Sequence, residues 1–183
     1  GTLQPRKNYV RLVEAFSKVK KTNPQLDLVI VGKKGWLYEE ILASPKAFGV
    51  EDSVRFLDFV RDEELPALYS GSVCFALPSL YEGFGLPVLE AMAAGAPIVI
   101  TPISGIPYEV KEYENALFAD YGDVKTLKEK ILEIIDNPKL AKKLRENNLK
   151  KAVQYDWDKI EKKTLHFYYK ILNRKSNTRL LNN

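Results

Sequence analysis

The stretch Glu82-Gly83-Phe84-Gly85-Leu86-Pro87-Val88-Leu89-Glu90 places a carboxylate on either side of a glycine-containing loop that leads into a predicted helix. Gly83 and Gly85 let the backbone approach a ligand without a Cβ clash, and Pro87 suits an early helical position that needs no N–H. The free amides and the positive end of the helix dipole favour an anion such as a diphosphate. Because carboxylates only accept hydrogen bonds, the two glutamates indicate a ligand rich in hydroxyl groups.

On both sides of this loop, apolar β-branched segments alternate with segments of helical periodicity. Such alternation predicts an α/β fold, a Rossmann-like three-layer domain whose mainly parallel sheet is covered on both faces. The predicted strands are residues 26–31, 54–59, 73–77, 97–101 and 115–119, and the predicted helices are about 8–23, 36–48, 62–70, 86–94, 123–136, 138–154 and one from Trp157.

Four polar loops follow apolar, strand-like runs. Ligands of parallel sheets bind beyond the carboxyl ends of the strands, where such loops meet. We therefore predict that the four loops converge at one edge of the sheet; they are Arg6-Lys7, Gly32-Lys33, residues 58–61 and residues 78–85.

Composition narrows the class of protein. The 183 residues are enough for one well-buried domain, and the absence of an apolar run of about 18 residues or a targeting pattern predicts a cytoplasmic protein. Cys74 is the single cysteine, which excludes an internal disulfide and a multi-cysteine metal site. The net charge of +4 comes partly from lysines in the last third, which we interpret as a solvated helix face. Contact with an anionic membrane surface stays open, and no nucleic-acid partner is expected.

Several further segments accompany the two glutamates, which have seven residues between them. Together they resemble the retaining glycosyltransferases of family 4, which have the two-domain GT-B fold and transfer a sugar from a nucleotide donor. The resemblance covers roughly residues 1–172 and rests on residues 1–8, 28–32, 54–57, 78–82 and 90–97 and on the helix headed by Trp157.

This resemblance implies the C-terminal, donor-binding half of a GT-B enzyme over residues 1–172, with a flexible tail at 173–183. In the family the last helix crosses back towards the N-terminal domain. Gly1 stands where the family's first strand of this domain ends, so we expect a longer enzyme whose missing N-terminal domain binds the acceptor, a glycan or a lipid-linked sugar. The isolated domain is then expected to be inactive.

The resemblance also implies the roles of individual residues. Arg6 and Lys7 would contact the donor diphosphate and stabilise it as it leaves, with no metal and no cofactor required. Glu82 would contact the transferred sugar and Glu90 the ribose hydroxyls. The catalytic set is thus Glu82, Arg6 and Lys7, and the donor-binding set is Gly83, Phe84, Gly85, Leu86, Glu90 and Val60, the last against the base.

The expected reaction is retaining transfer of a hexosyl group from a GDP-mannose-like donor or a UDP- or ADP-sugar. Two departures from the family pattern bear on the site. Thr2 stands where some members carry a further arginine. Asp58 stands where glycine is frequent, so the resemblance transfers least directly to the residues that contact the base.

Three other functions fit parts of the sequence. Glu82 and Glu90 could be the two carboxylates of a glycoside hydrolase, although a hydrolase needs neither the phosphate-type loop nor Arg6-Lys7. Gly83 and Gly85 resemble the start of a dinucleotide fingerprint, but Val88 stands where the third glycine belongs. A non-catalytic nucleotide-binding or interaction module with basic helices also remains. Asp156 and Asp158 flank Trp157 like a metal-binding pair, and helix capping explains them better.

Overall fold

The computed structural model describes residues 1–103 and 110–180, and side chains as far as residue 172. All strand pairs within its sheets are parallel, as predicted. The strands form two sheets rather than one, in the orders β1-β2 and β3-β4-β5. They are β1 (Leu28–Val31), β2 (Val54–Leu57), β3 (Phe75–Leu77), β4 (Ile98–Ile100) and β5 (Leu117–Phe118).

Each predicted helix is present, and the predicted helix ends given above lie within three residues of the observed ones. The last helix runs as far as Leu180 and so enters the segment predicted to be a tail, whose final three residues lie outside the described part. The helices are α1 (Tyr9–Lys20), α2 (Glu39–Ala47), α3 (Leu65–Gly71), α4 (Leu86–Ala93), α5 (Val124–Asp136), α6 (Pro138–Ala152) and α7 (Trp157–Leu180).

The main core lies where α1 packs against α5. Both helices are amphipathic, and their apolar stripes meet in one buried cluster with β1 and β5. Burying one side chain of this size stabilises the fold by about 1.5–3 kcal/mol. The packing fixes the start of α1, and therefore the preceding loop with Arg6 and Lys7; the buried stripes are Leu12, Val13, Phe16 and Val19 in α1 and Leu127, Ile131 and Ile134 in α5.

Two aspartates cap helices, which agrees with the sequence. The Asp123 carboxylate accepts a hydrogen bond from the Lys125 amide at 2.7 Å at the start of α5. The Asp156 carboxylate accepts one from the Asp158 amide at 3.0 Å at the start of α7. Capping therefore accounts for the Asp156–Asp158 pair, as the spacing indicates.

Helix α7 contributes little to the buried core. Trp157, Phe167 and Tyr169 are exposed, and the helix's contacts are mainly with the short turn before it, residues 153–155. Over residues 1–103 and 110–180, none of the helices combines the length and hydrophobicity needed to cross a bilayer.

Candidate functional site

The polar loops meet at one edge of the fold, as predicted. The Leu3 amide donates to the Lys33 carbonyl at 2.8 Å, which joins the first loop to the loop after β1. The Lys33 ammonium lies 5.6 Å from the centre of the Phe59 ring, in the loop after β2. The Leu80 amide donates to the Arg6 carbonyl at 2.7 Å, which joins the first loop to the loop after β3.

At this edge, Arg6 and Lys7 converge on one carboxylate. Lys7 Nζ lies 2.6 Å from Glu82 Oε1, and Arg6 Nη1 lies 3.2 Å from Glu82 Oε2. The Ser79 hydroxyl also donates to Oε1, at 2.6 Å. Glu82 and Lys7 are buried, whereas the Arg6 side chain is 38% exposed. The three residues predicted to be catalytic thus form one cluster, with two cations for one carboxylate.

The protonation of Glu82 reflects this cluster. Burial alone would raise the pKa of Glu82, but hydrogen bonds from Lys7, Ser79 and Arg6 and the charge of Lys7 outweigh burial and hold the pKa below its ordinary value. Glu82 is therefore ionised at neutral pH, and its negative charge offsets part of the charge on the two cations.

This lowered pKa predicts a pH dependence of stability. The ionised carboxylate stabilises the fold fully above its unfolded pKa of about 4.5, and this contribution is lost as the pH falls through the lower folded value. Urea unfolding of the wild type and Glu82→Gln between pH 7 and pH 3 measures it. The wild type should lose more unfolding free energy than the variant across this range; equal losses would contradict the assignment.

Three polar residues that the sequence analysis did not single out hold the cluster in place. Asn8 adopts a left-handed backbone conformation (φ 59°), which asparagine tolerates. The amide nitrogen of its side chain donates to the Pro78 carbonyl at 3.0 Å. With its amide oriented to satisfy its hydrogen bonds, the Gln4 side chain accepts from the Arg6 guanidinium at 3.0 and 3.1 Å. They are Gln4, Asn8 and Ser79, and their only signal in the sequence is that they lie close to Arg6-Lys7 or to Glu82. Tyr69, which carries no such signal, contacts Glu90 instead.

Helix α4 begins directly beside this cluster. Gly85 precedes the helix with φ 77°, a conformation that favours glycine, and no described side chain caps the helix start. A Cβ on Gly83 would meet no described atom within 4 Å. Phe84 and Leu86 are more than half exposed. The loop is therefore exposed at Gly83 and Phe84 and lies at the positive end of a helix, as the sequence indicates.

Glu90 lies one turn into α4 and is exposed. The Tyr69 hydroxyl donates to Glu90 Oε2 at 2.8 Å, and burial together with this hydrogen bond raises the pKa of Tyr69. Burial and the charge of Lys7 lower the pKa of the Gly1 amino group, and the charges of Glu90 and Glu82 offset part of this shift. Tyr69, which holds Glu90, lines the same cavity as Gly1 and Lys7, so Glu90 lies on the same side of the domain as the cluster around Glu82.

Val60 is half-buried in the loop after β2, next to Phe59. That loop reaches the shared edge through the contact of Phe59 with Lys33. The role of Val60 against a base stays a prediction.

Comparison with known proteins decides the family. The sequence model described as "Glycosyl transferases group 1" matches residues 1–151. The chain belongs to this family. Among relatives of this group 1 glycosyl transferase domain, the O-antigen chain mannosyltransferase B of Escherichia coli is 32% identical over 169 residues. The match covers 92% of the chain but 44% of the relative, so the chain spans less than half of that protein.

Solved structures agree with this assignment. The C-terminal domain of the group 1 family protein LpcC from Francisella tularensis shares the fold, with a TM-score of 0.75 at 24% identity over 86% of this chain and 83% of that one. Anabaena Alr3699/HepE, solved in complex with UDP-glucose, has a TM-score of 0.75 at 26% identity over 84% of this chain and 42% of that one. The group 1 domain therefore has the Rossmann-like architecture of a GT-B glycosyltransferase.

Proposed function

We propose that residues 1–172 bind a nucleotide-diphosphate sugar and serve as the donor half of a retaining hexosyltransferase. The observation that carries the proposal is the cluster of Arg6, Lys7 and Glu82 beside the start of α4, with Glu90 on the same side. Two cations against one carboxylate leave an excess positive charge, which a diphosphate matches.

Within this site, Arg6 is the cation best placed to reach a ligand. The Arg6 side chain is more than one-third exposed, whereas the Lys7 side chain is buried against Glu82. Arg6 and the amides ahead of α4 would therefore contact the phosphates directly. Lys7 would act mainly through its charge, which falls off slowly in a buried environment.

Glu90 is the residue whose position favours a ligand that contains a nucleoside. Oε2 accepts from Tyr69, which fixes the carboxylate, and the exposed group can accept further hydrogen bonds. We assign these to the two ribose hydroxyls. Val60 and its neighbours would contact the base.

Catalysis would rest on electrostatic stabilisation of the transition state. Retaining transfer develops negative charge on the departing diphosphate, which Arg6, Lys7 and the backbone amides at residues 83–86 would stabilise in a site formed beforehand. Glu82 would hold the two cations in place and lie near the positive charge that develops on the sugar. The donor phosphate would accept the proton of the acceptor hydroxyl, and an N-terminal domain would bind the acceptor.

A mannosyl or glucosyl donor fits the comparisons. The E. coli relative carries a mannosyltransferase name, and Alr3699/HepE was solved with UDP-glucose. We therefore propose GDP-mannose or a UDP-sugar as donor.

The proposal is tested by calorimetry with UDP, GDP, uridine and guanosine. Glu90→Gln should weaken binding of the better nucleotide by about ten- to a hundredfold, because charge-assisted hydrogen bonds to the ribose are lost. Glu114→Gln, on an exposed loop elsewhere, is the matched control and should bind like the wild type. Arg6→Ala should weaken the diphosphate by about tenfold more than the nucleoside; Arg55→Ala, an exposed arginine on β2, is its control.

Two other outcomes would contradict the roles proposed for Arg6 and Glu90. Equal weakening of nucleotide and nucleoside by Arg6→Ala would remove the phosphate role of Arg6. Unchanged nucleotide binding in Glu90→Gln would favour the second candidate, an interaction module, which is supported by the exposed aromatic and basic side chains of α7.

A further inference from the structure

Tyr69 of α3 fixes the direction of an exposed carboxylate on the neighbouring helix α4. Its hydroxyl donates to Glu90 Oε2 at 2.8 Å across 21 positions of the chain. Tyr69 is half-buried, whereas Glu90 is exposed. A glutamate on a helix surface otherwise exchanges between several rotamers, and ordering it costs conformational entropy. The hydrogen bond therefore holds Glu90 in one orientation before any ligand arrives.

Tyr69 can do this because it is itself held at both its ring and its backbone. The ring packs edge-to-face on Phe75 of β3, with the ring centres 5.3 Å apart at an angle of 76°. The Tyr69 carbonyl accepts hydrogen bonds from the Ser72 hydroxyl at 2.7 Å and the Ser72 amide at 3.2 Å. Arg145 of α6 donates to the next carbonyl, that of Ser70, at 3.3 Å. The end of α3 is thus anchored, and the Tyr69 hydroxyl has a fixed position.

The direction of the hydrogen bond is also fixed. Burial raises the pKa of Tyr69, and its hydrogen bond to Glu90 raises the pKa further. The phenol is therefore protonated at neutral pH and acts as the donor. A carboxylate offers about four acceptor positions on its two oxygens, and Tyr69 takes one of those on Oε2. Both oxygens keep acceptor capacity for a ligand with two adjacent hydroxyl groups.

The 2′- and 3′-hydroxyls of a ribose form such a pair, because they lie on the same side of the ring. We propose that Tyr69 is a positioning residue that makes the site prefer ribonucleotides to deoxyribonucleotides, an inference that rests on the ribose role proposed for Glu90. A carboxylate already oriented by Tyr69 can accept from both hydroxyls without being ordered on binding. A 2′-deoxyribose makes only one of these contacts and gains less from the orientation.

The test compares Tyr69→Phe with the wild type, because phenylalanine keeps the ring on Phe75 and removes only the hydroxyl. Calorimetry measures the affinity for UDP and 2′-deoxy-UDP, and for GDP and 2′-deoxy-GDP. The wild type should bind the ribonucleotide about tenfold more tightly than its deoxy form. Tyr69→Phe should weaken the ribonucleotide about three- to tenfold and the deoxy form clearly less, so the preference should shrink.

Tyr113→Phe is the matched control. Its hydroxyl contacts the Glu133 carboxylate at 3.5 Å and the Lys130 ammonium at 2.9 Å, in the loop before β5, so this variant should bind both nucleotides like the wild type. Glu90→Ala completes a double-mutant cycle. Because Tyr69 acts through Glu90, Tyr69→Phe should weaken the ribonucleotide no further in the Glu90→Ala background.

The possible failures of this inference and of the proposed function are distinct. Equal weakening of the ribo and deoxy forms by Tyr69→Phe would show a merely structural role and overturn the inference. A preference kept in Tyr69→Phe but lost in Glu90→Ala would also overturn it, while leaving the ribose contact of Glu90 in place. A wild type that binds both forms equally, or neither, would instead contradict the proposed function itself, and the role of Tyr69 with it.

Discussion

Glu82→Gln is expected to lower the free energy of unfolding by about 3–5 kcal/mol at pH 7, the usual effect of breaking a buried ion pair by removing one partner. The glutamine keeps the size of the side chain and removes its charge. The Lys7 side chain is 6% exposed, and its ammonium, 2.6 Å from Glu82 Oε1, would then remain buried without that counter-charge. Urea unfolding followed by circular dichroism measures the loss.

A double-mutant cycle separates the pair from the rest of the site. Lys7→Met removes the buried cation, so Glu82→Gln in that background should cost clearly less than in the wild type. Glu14→Gln is the matched control, because Glu14 pairs with Lys18 at 2.9 Å on the exposed face of α1. Its loss should stay within about 0.5 kcal/mol. Equal costs for Glu82→Gln and Glu14→Gln would show that the buried pair does not hold the loop.

Gly32→Ala should have the second-largest effect. A Cβ at this position would lie 1.6 Å from the Gly1 carbonyl oxygen and 2.3 Å from its carbon, and the backbone has φ 156°. The contact is with backbone that is itself held, since the Tyr9 hydroxyl donates to the same carbonyl at 3.2 Å. Forcing the first residues away should lower the unfolding free energy by about 1–3 kcal/mol, the usual range for overpacking.

Gly71→Ala provides the comparison for this substitution. A Cβ on Gly71 would meet no described atom within 4 Å, so the change should be neutral or slightly stabilising. The melting temperatures of both variants, measured by circular dichroism, test this difference: Gly32→Ala should melt lower than Gly71→Ala. Because the displaced segment leads to Arg6 and Lys7, Gly32→Ala should also weaken nucleotide binding; unfolding and binding that match Gly71→Ala would show that the first loop moves aside at little cost.

Sequence patterns predicted the parts of the fold that depend on local chemistry. Apolar runs located the strands, and helical periodicity located α1 and α5. Gly85 was predicted to lie in the loop that leads into α4, and it directly precedes that helix with φ 77°. In each case the residues that carry the signal are the residues that form the element.

Features that depend on residues far apart in the chain were not predictable in this way. The resemblance implies that Arg6 and Lys7 contact a ligand, but no sequence pattern indicated that both also pair with Glu82, 76 and 75 positions away. The hydrogen bond between Tyr69 and Glu90 joins two helices, and neither residue carries a local mark of it. The division into two sheets was also missed, because the apolar pattern of a strand does not indicate which other strand pairs with it.

The long separation between the two halves of the ion-pair cluster affects how the protein is made. A ribosome adding about 5–20 residues per second needs roughly 4–15 s to proceed from Lys7 to Glu82. During that interval Lys7 cannot form its buried pair with Glu82. Helix α1 can form early from its own sequence, but the loop before it acquires its final shape only after residue 82 has left the exit tunnel.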